Sequence, residues 1–206
     1  MKYIYFTLIL GIALFSCKKK GKADFTLKGT LTDATYSIPM NGASVTLYEK
    51  IAGNSSYDII GSTSTDGNGS YSFTFPRNSA ESYKIIISKN LYFEIDQLIN
   101  FSDLSIENDN IRNYSTTAMS WVKLRFINQS PSAADILKYT QSEGKQGCAL
   151  CCPGGERTLH GAVDTTIYCI NDGNTTYAYT FLNGSFPGYK SAITTAFDTT
   201  EISLTY

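Results

Sequence analysis

The sequence predicts an all-β protein made of two tandem β-sandwich domains, and three observations lead there. With 42% hydrophobic residues, 15 Tyr and 11 Phe in 206 residues, the chain can fill real cores. Its apolar residues recur at every second position over short runs, the period that paves one face of a sheet. Between these runs lie Gly, Asn, Ser and Pro, and no stretch offers the dozen or more periodic apolar residues of a helical crossover. Length favours two small domains over one continuous one.

The chain opens with Lys2, an apolar stretch from Ile4 to Phe15, and Ser16-Cys17. A positive start, about a dozen apolar residues and a small residue at the cut form a secretory signal, too short for a membrane span. Leu14-Phe15-Ser16-Cys17 resembles a bacterial lipobox, with Phe15 bulkier than the usual residue there. That resemblance implies a signal peptide over residues 1–16, cleavage between Ser16 and Cys17, and a diacylglycerol on the Cys17 thiol. Two or three acyl chains hold a protein stably on a bilayer. Residues 17–24 then form a basic tether, Lys18-Lys19-Lys20-Gly21-Lys22, whose lysines favour an anionic surface. Lys18 is not the aspartate that retains some lipoproteins at the inner membrane. The run also lacks the acidic patch of surface-exported lipoproteins in Bacteroidetes-type bacteria, so the resemblance implies the periplasmic face of the outer membrane.

Setting aside Lys2 and the four tether lysines from 17 basic and 18 acidic residues leaves 12 against 18. A net-acidic folded part excludes a basic nucleic-acid surface.

In the first half, Ala43, Val45 and Leu47 alternate with polar neighbours, as do Tyr71, Phe73 and Phe75, and Tyr83, Ile85 and Ile87. Reversals are expected at Pro39 to Gly42, Gly53 to Ser56, and Asp66 to Gly69, where Gly and Asn tolerate the backbone of tight hairpins. Gly29-Thr30-Leu31-Thr32-Asp33, Pro39, Gly42-Ala43, Val45, Thr65-Asp66, Gly69, Tyr71 and Phe73 together resemble the carboxypeptidase regulatory-like domain, a transthyretin-like β-sandwich. The resemblance covers residues 25–96 and implies a folding and spacing module rather than a peptidase. A zinc carboxypeptidase needs two imidazoles, and the chain has one histidine, His160.

An acidic, Asn-rich stretch from Gln97 to Asn110 is expected to separate the domains, giving a second β-sandwich over residues 97–206. There Val122, Leu124 and Phe126 alternate, Tyr177, Tyr179 and Phe181 do likewise, and Ile202, Leu204 and Tyr206 read as a last strand. Thr166 to Ile170, the turn Asn171 to Asn174, and Thr176 to Phe181 read as a hairpin. Ala133 to Tyr139 fits a short helix capped by Ser132 or a strand.

Beyond Cys17 the cysteines are Cys148, Cys151, Cys152 and Cys169. An oxidising compartment and an even number favour disulfides, with Cys152 or Cys148 bonded to Cys169 stapling the Gly-rich loop to a strand. The alternatives are a zinc site on Cys148, Cys151, Cys169 and His160, or a redox role for Cys148 and Cys151.

Asp66, Asn68 and Ser70 resemble the start of a calcium loop, yet Arg77 stands where the bidentate glutamate belongs, so a turn is expected. Asp103, Glu107 and Asp109 suit an acidic linker better than a calcium site. Trp121 and the tyrosines are candidates for a sugar-stacking platform, although half of a strand's aromatics normally face the core. Asp164-Thr165-Thr166 and Asp198-Thr199-Thr200 resemble the O-glycan acceptor pattern of Bacteroidetes-type bacteria, at Thr165 and Thr199. No nucleophile has a base and an orienter, no phosphate loop occurs, and no cofactor is expected. The expectation is therefore a non-enzymatic module, anchored to the membrane by lipid, with an outer-membrane protein or a glycan as partner. A carbohydrate-binding accessory of an uptake system and a thiol- or zinc-dependent activity are the alternatives.

Overall fold

The structure, a computed structural model, describes residues 23–206. The expected signal peptide, the expected cleavage and lipidation at Ser16-Cys17 and the lysines of the expected tether lie outside the described residues. Among those described, no helix is long and apolar enough to cross a membrane.

The fold is all-β. Its first part comprises β1 (Asp24–Asp33), β2 (Ile38–Pro39), β3 (Ser44–Ile51), β4 (Asp58–Ser64), β5 (Ser70–Pro76), β6 (Ala80–Ser88), β7 (Ile95–Asn100), β8 (Asn110–Ile111) and β9 (Tyr114–Thr116). One sheet is centred on β1, which takes β2 and β5 antiparallel and β8 and β9 parallel. The other runs β4-β3-β6-β7, antiparallel throughout. Alternation puts Phe25, Leu27, Tyr71, Phe73 and Phe75 on one inner face and Val45, Leu47, Tyr83, Ile85 and Ile87 on the other, in one buried cluster.

The second part comprises β10 (Met119–Ile127), β11 (Ile136–Glu143), β12 (Arg157–His160), β13 (Asp164–Asp172), β14 (Thr176–Asn183), β15 (Phe186–Ile193) and β16 (Thr199–Thr205). Its sheets run β13-β10-β16, with β16 parallel to β10, and β12-β11-β14-β15. Val122, Leu124, Phe126, Leu137, Tyr179, Ile202 and Leu204 form a second, separate buried cluster.

Four expectations need correction. The stretch from Gln97 to Asn110 is not a linker: β7 pairs with β6, and β8 and β9 pair with β1, so the first sandwich extends to Thr116. Asn110 holds this segment, donating its amide to the Thr26 and Ser105 carbonyls at 2.9 Å while its Oδ1 accepts from the Ser105 N–H at 2.7 Å. At its other end the sandwich begins at Asp24, opposite Pro76, one residue inside the expected tether. The turns at Asp66 to Gly69 and Asn171 to Asn174 carry the chain between sheets rather than closing hairpins, because β4 and β5, like β13 and β14, belong to different sheets. At the second turn, Thr175 and Thr194 hydroxyls both donate to the Asp172 carbonyl, at 2.8 and 2.7 Å, and so turn the chain away from β13.

The ambiguous Ala133 to Tyr139 segment is a turn followed by strand. Asp135 accepts from the Ser132 N–H and from the Asn128 amide, both at 2.8 Å, which uses Ser132 in the turn. The same bonds hold the Asp135 carboxyl below the usual range.

The sandwiches are joined by specific contacts. Buried Asp33 accepts the Tyr92 hydroxyl at 2.7 Å and the Thr35 N–H at 2.8 Å, and the Thr35 hydroxyl accepts the Ala118 N–H at 2.8 Å. Tyr36 stacks on Phe197, and Tyr92 meets the same ring edge-on. Lys145 pairs with Asp172 at 2.7 Å and lies 4.0 Å from the Phe93 ring centre.

The aromatic cores give stability an alkaline limit. Burial, with Glu49 adding and Arg77 opposing, pushes the Tyr83 phenol up to about 12 from its ordinary 10.0, and burial raises Tyr71, Tyr177 and Tyr179 as well. A phenol whose folded pKa lies above its unfolded one stabilises the fold fully below pH 10 and loses that contribution as pH rises through 12. Melting temperature is therefore expected to hold up to pH 10 and fall from there to pH 12. A flat profile across that window in thermal melts would contradict buried, neutral phenols.

Candidate binding groove

On β1 the side chains alternate, positions 27, 29 and 31 facing inward, so Lys28 and Thr30 lie on the outer face of the sheet. β5 sets Ser70 opposite Thr30 and Ser72 opposite Lys28, while β8 sets Ile111 beside Lys28 on the other flank. With Thr63, Ser64, Asp66 and Asn113 these residues line an open groove of about 560 Å³, within the range of small-ligand sites.

Gly29 lets the segment after β8 come close to β1. The Arg112 carbonyl approaches β1 where any side chain at Gly29 would overlap it. That carbonyl accepts the Tyr71 hydroxyl at 2.6 Å, and the Arg112 N–H donates to the Lys28 carbonyl at 2.8 Å. The chain then delivers Asn113, whose Oδ1 accepts both the N–H and the hydroxyl of Thr30, at 2.9 and 3.1 Å. Absence of a Cβ thus lets a backbone carbonyl in and places an amide on the groove wall.

The groove's chemistry is that of hydrogen bonding. Its lining presents Thr30, Thr63, Ser64, Ser70 and Ser72 hydroxyls with the Asn113 amide, and Ile111 gives an apolar contact. Lys28 is ion-paired with Asp109. One oxygen of Asp66 accepts the Asn68 and Ser70 N–H groups, at 2.9 and 2.8 Å, making the expected turn. Burial raises the Tyr71 phenol, whose hydroxyl is spent on the Arg112 carbonyl. The lining includes no histidine or cysteine.

The sites expected from sequence lie elsewhere. Cys148 is bonded to Cys151 and Cys152 to Cys169. The zinc alternative is therefore corrected: the thiolates it required are joined in disulfides, and His160 stands exposed at the end of β12, opposite Ile136. Among the described residues, no group of three His, Cys, Asp or Glu side chains is placed to hold a metal ion. Asp109 faces Lys28, whereas Asp103 accepts from Asn100 at 3.2 Å. Thr165 is half-buried in β13, and Thr199 is exposed at the start of β16. Trp121 lies half-buried on β10, with Thr199 opposite on one side and Ile170 on the other. The groove was not foreseen, because outward Ser and Thr alternating with inward aromatics mark any solvated strand face.

No family model matches the chain, and no curated protein matches it. Among solved structures, the shaft pilin of Lactobacillus rhamnosus GG is similar at 10% identity and a TM-score of 0.38, over 88% of this chain and 98% of that one. A streptococcal ancillary pilin is similar at 13% identity and a TM-score of 0.36, over 89% of this chain and 62% of that one. Hydroxyquinol 1,2-dioxygenase from Pseudomonas putida DLL-E4 is similar at 11% identity and a TM-score of 0.35, over 48% of this chain and 57% of that one. The chain thus spans less than two thirds of the dioxygenase and of the ancillary pilin. Likenesses this distant carry no information on activity, ligand or partner.

Proposed function

We propose that this chain is a non-enzymatic, lipid-anchored binding module on the periplasmic face of the outer membrane, and that its groove takes a short, neutral, hydroxyl-rich ligand such as a glycan segment. Its first sandwich is read as carboxypeptidase regulatory-like, on the turn and core residues named above. The leader ending at Cys17 supports the anchor and the address. The groove carries the binding reading: five hydroxyls and an amide line one concavity, while its charged members are engaged, Lys28 with Asp109 and Asp66 with the N–H groups of its own turn. Such a surface suits an accessory of an uptake system, holding substrate without altering it.

Titrating the purified protein calorimetrically with a panel of neutral oligosaccharides tests this. A saturable heat is expected for at least one of them. Asn113→Ala removes an amide from the wall and is expected to weaken that binding about tenfold, the worth of roughly one hydrogen bond. Absence of binding across the panel, or equal binding by the variant, would reject the groove as the site.

A further inference from the structure

The two disulfides differ in kind. Cys152 and Cys169 are 3% and 6% exposed, within the second hydrophobic core. Their bond ties the loop before β12 to β13 across 17 positions. Cys148 and Cys151 are only half-buried, three positions apart in a turn already closed by the Cys151 N–H on the Cys148 carbonyl at 3.2 Å. Ala149 between them is exposed, and Leu150 is 71% exposed.

A ring this small removes less freedom from the unfolded chain than the longer one. The loop is also held without it. The Ile170 N–H donates to the Leu150 carbonyl at 3.0 Å, the Lys145 N–H donates to Asn171 at 2.6 Å, and Cys152 follows at once. The outer bond is thus less buried than the inner one and constrains a shorter loop, as expected of a disulfide that exchanges.

We infer that Cys148–Cys151 is a thiol–disulfide exchange site whose partner is a protein dithiol. A thiolate of the partner attacks one sulfur of the pair, the Cys148–Cys151 bond breaks, and the other cysteine leaves as a thiolate that takes up a proton. The partner's second thiol, losing its proton, then attacks the mixed disulfide. Two electrons and two protons pass to Cys148 and Cys151, and the partner becomes the disulfide. This chain is the substrate of that exchange rather than its catalyst. The charged side chains flanking the loop are engaged, Lys145 with Asp172 and Glu156 with Lys138. Exposed Leu150 gives the partner an apolar contact beside the bond.

The test treats the full chain with increasing dithiothreitol, alkylates free thiols and maps them by mass spectrometry. Cys148 and Cys151 are expected to be labelled together, at reductant concentrations at least about tenfold below those that label Cys152 and Cys169. The melting transition should survive that first step. A bacterial dithiol oxidoreductase whose resolving cysteine is replaced by serine should form a mixed disulfide with Cys148 or Cys151. Simultaneous labelling of all four cysteines, labelling only on unfolding, or failure to trap the mixed disulfide would overturn the inference.

Discussion

Gly29→Ala is expected to destabilise the first sandwich by about 3 kcal/mol, as overpacking against unyielding backbone does. The added methyl overlaps the Arg112 carbonyl, and the neighbouring Tyr71 hydroxyl leaves no room for retreat. Relief requires β8 to part from β1, which breaks the Arg112 N–H bond to Lys28 and displaces Asn113 from Thr30. The same substitution should therefore abolish ligand binding in the groove. Tyr71→Phe separates the contributions: it removes one donor while β8 stays in place, and should cost about 1–2 kcal/mol. Urea denaturation of both variants measures the difference. A Gly29→Ala protein within 0.5 kcal/mol of the parent would mean that the parallel pairing does not form as described.

Replacing Cys152 and Cys169 together by alanine is expected to cost about 3 kcal/mol through the freedom restored to the unfolded chain, with a further loss from core volume. For a chain of this size that lowers the melting temperature by roughly 6–12 °C. The loss should be local. Hydrogen-exchange protection is expected to fall across β10, β13 and β14, which surround Cys169, while β3 and β6 keep theirs. Cys148→Ala with Cys151→Ala is the control and should melt near the parent. Equal losses from both pairs would show that the outer bond is structural too.

Strand interiors were legible wherever burial imposes a period of two. Val45 and Leu47, Tyr71 to Phe75, Tyr83 to Ile87, and Val122 to Phe126 are buried at the alternating positions that the sequence marks. What alternation does not encode is sheet membership: an Asp-Gly or Asn-Asp-Gly turn serves a hairpin and a crossing between sheets equally well. The short β8 and β9 carry no apolar period either, being recruited by backbone pairing to β1 and by the amide of Asn110. The groove depends on one such recruitment, the approach of Arg112 to Gly29, which exists only once residues some eighty positions apart have met. The cysteines were legible as disulfides because their chemistry depends on compartment, but their pairing required the loop's path past β13.

Parallel pairing of β9 with β1 sets the timetable of folding. The strand β1 can pair with β2 and β5 early, but its parallel flank against Tyr114–Thr116 cannot form in a nascent chain until that late segment has left the ribosome. Contacts so distant in sequence close slowly. A polypeptide with this wiring closes the parallel flank of its first sheet last.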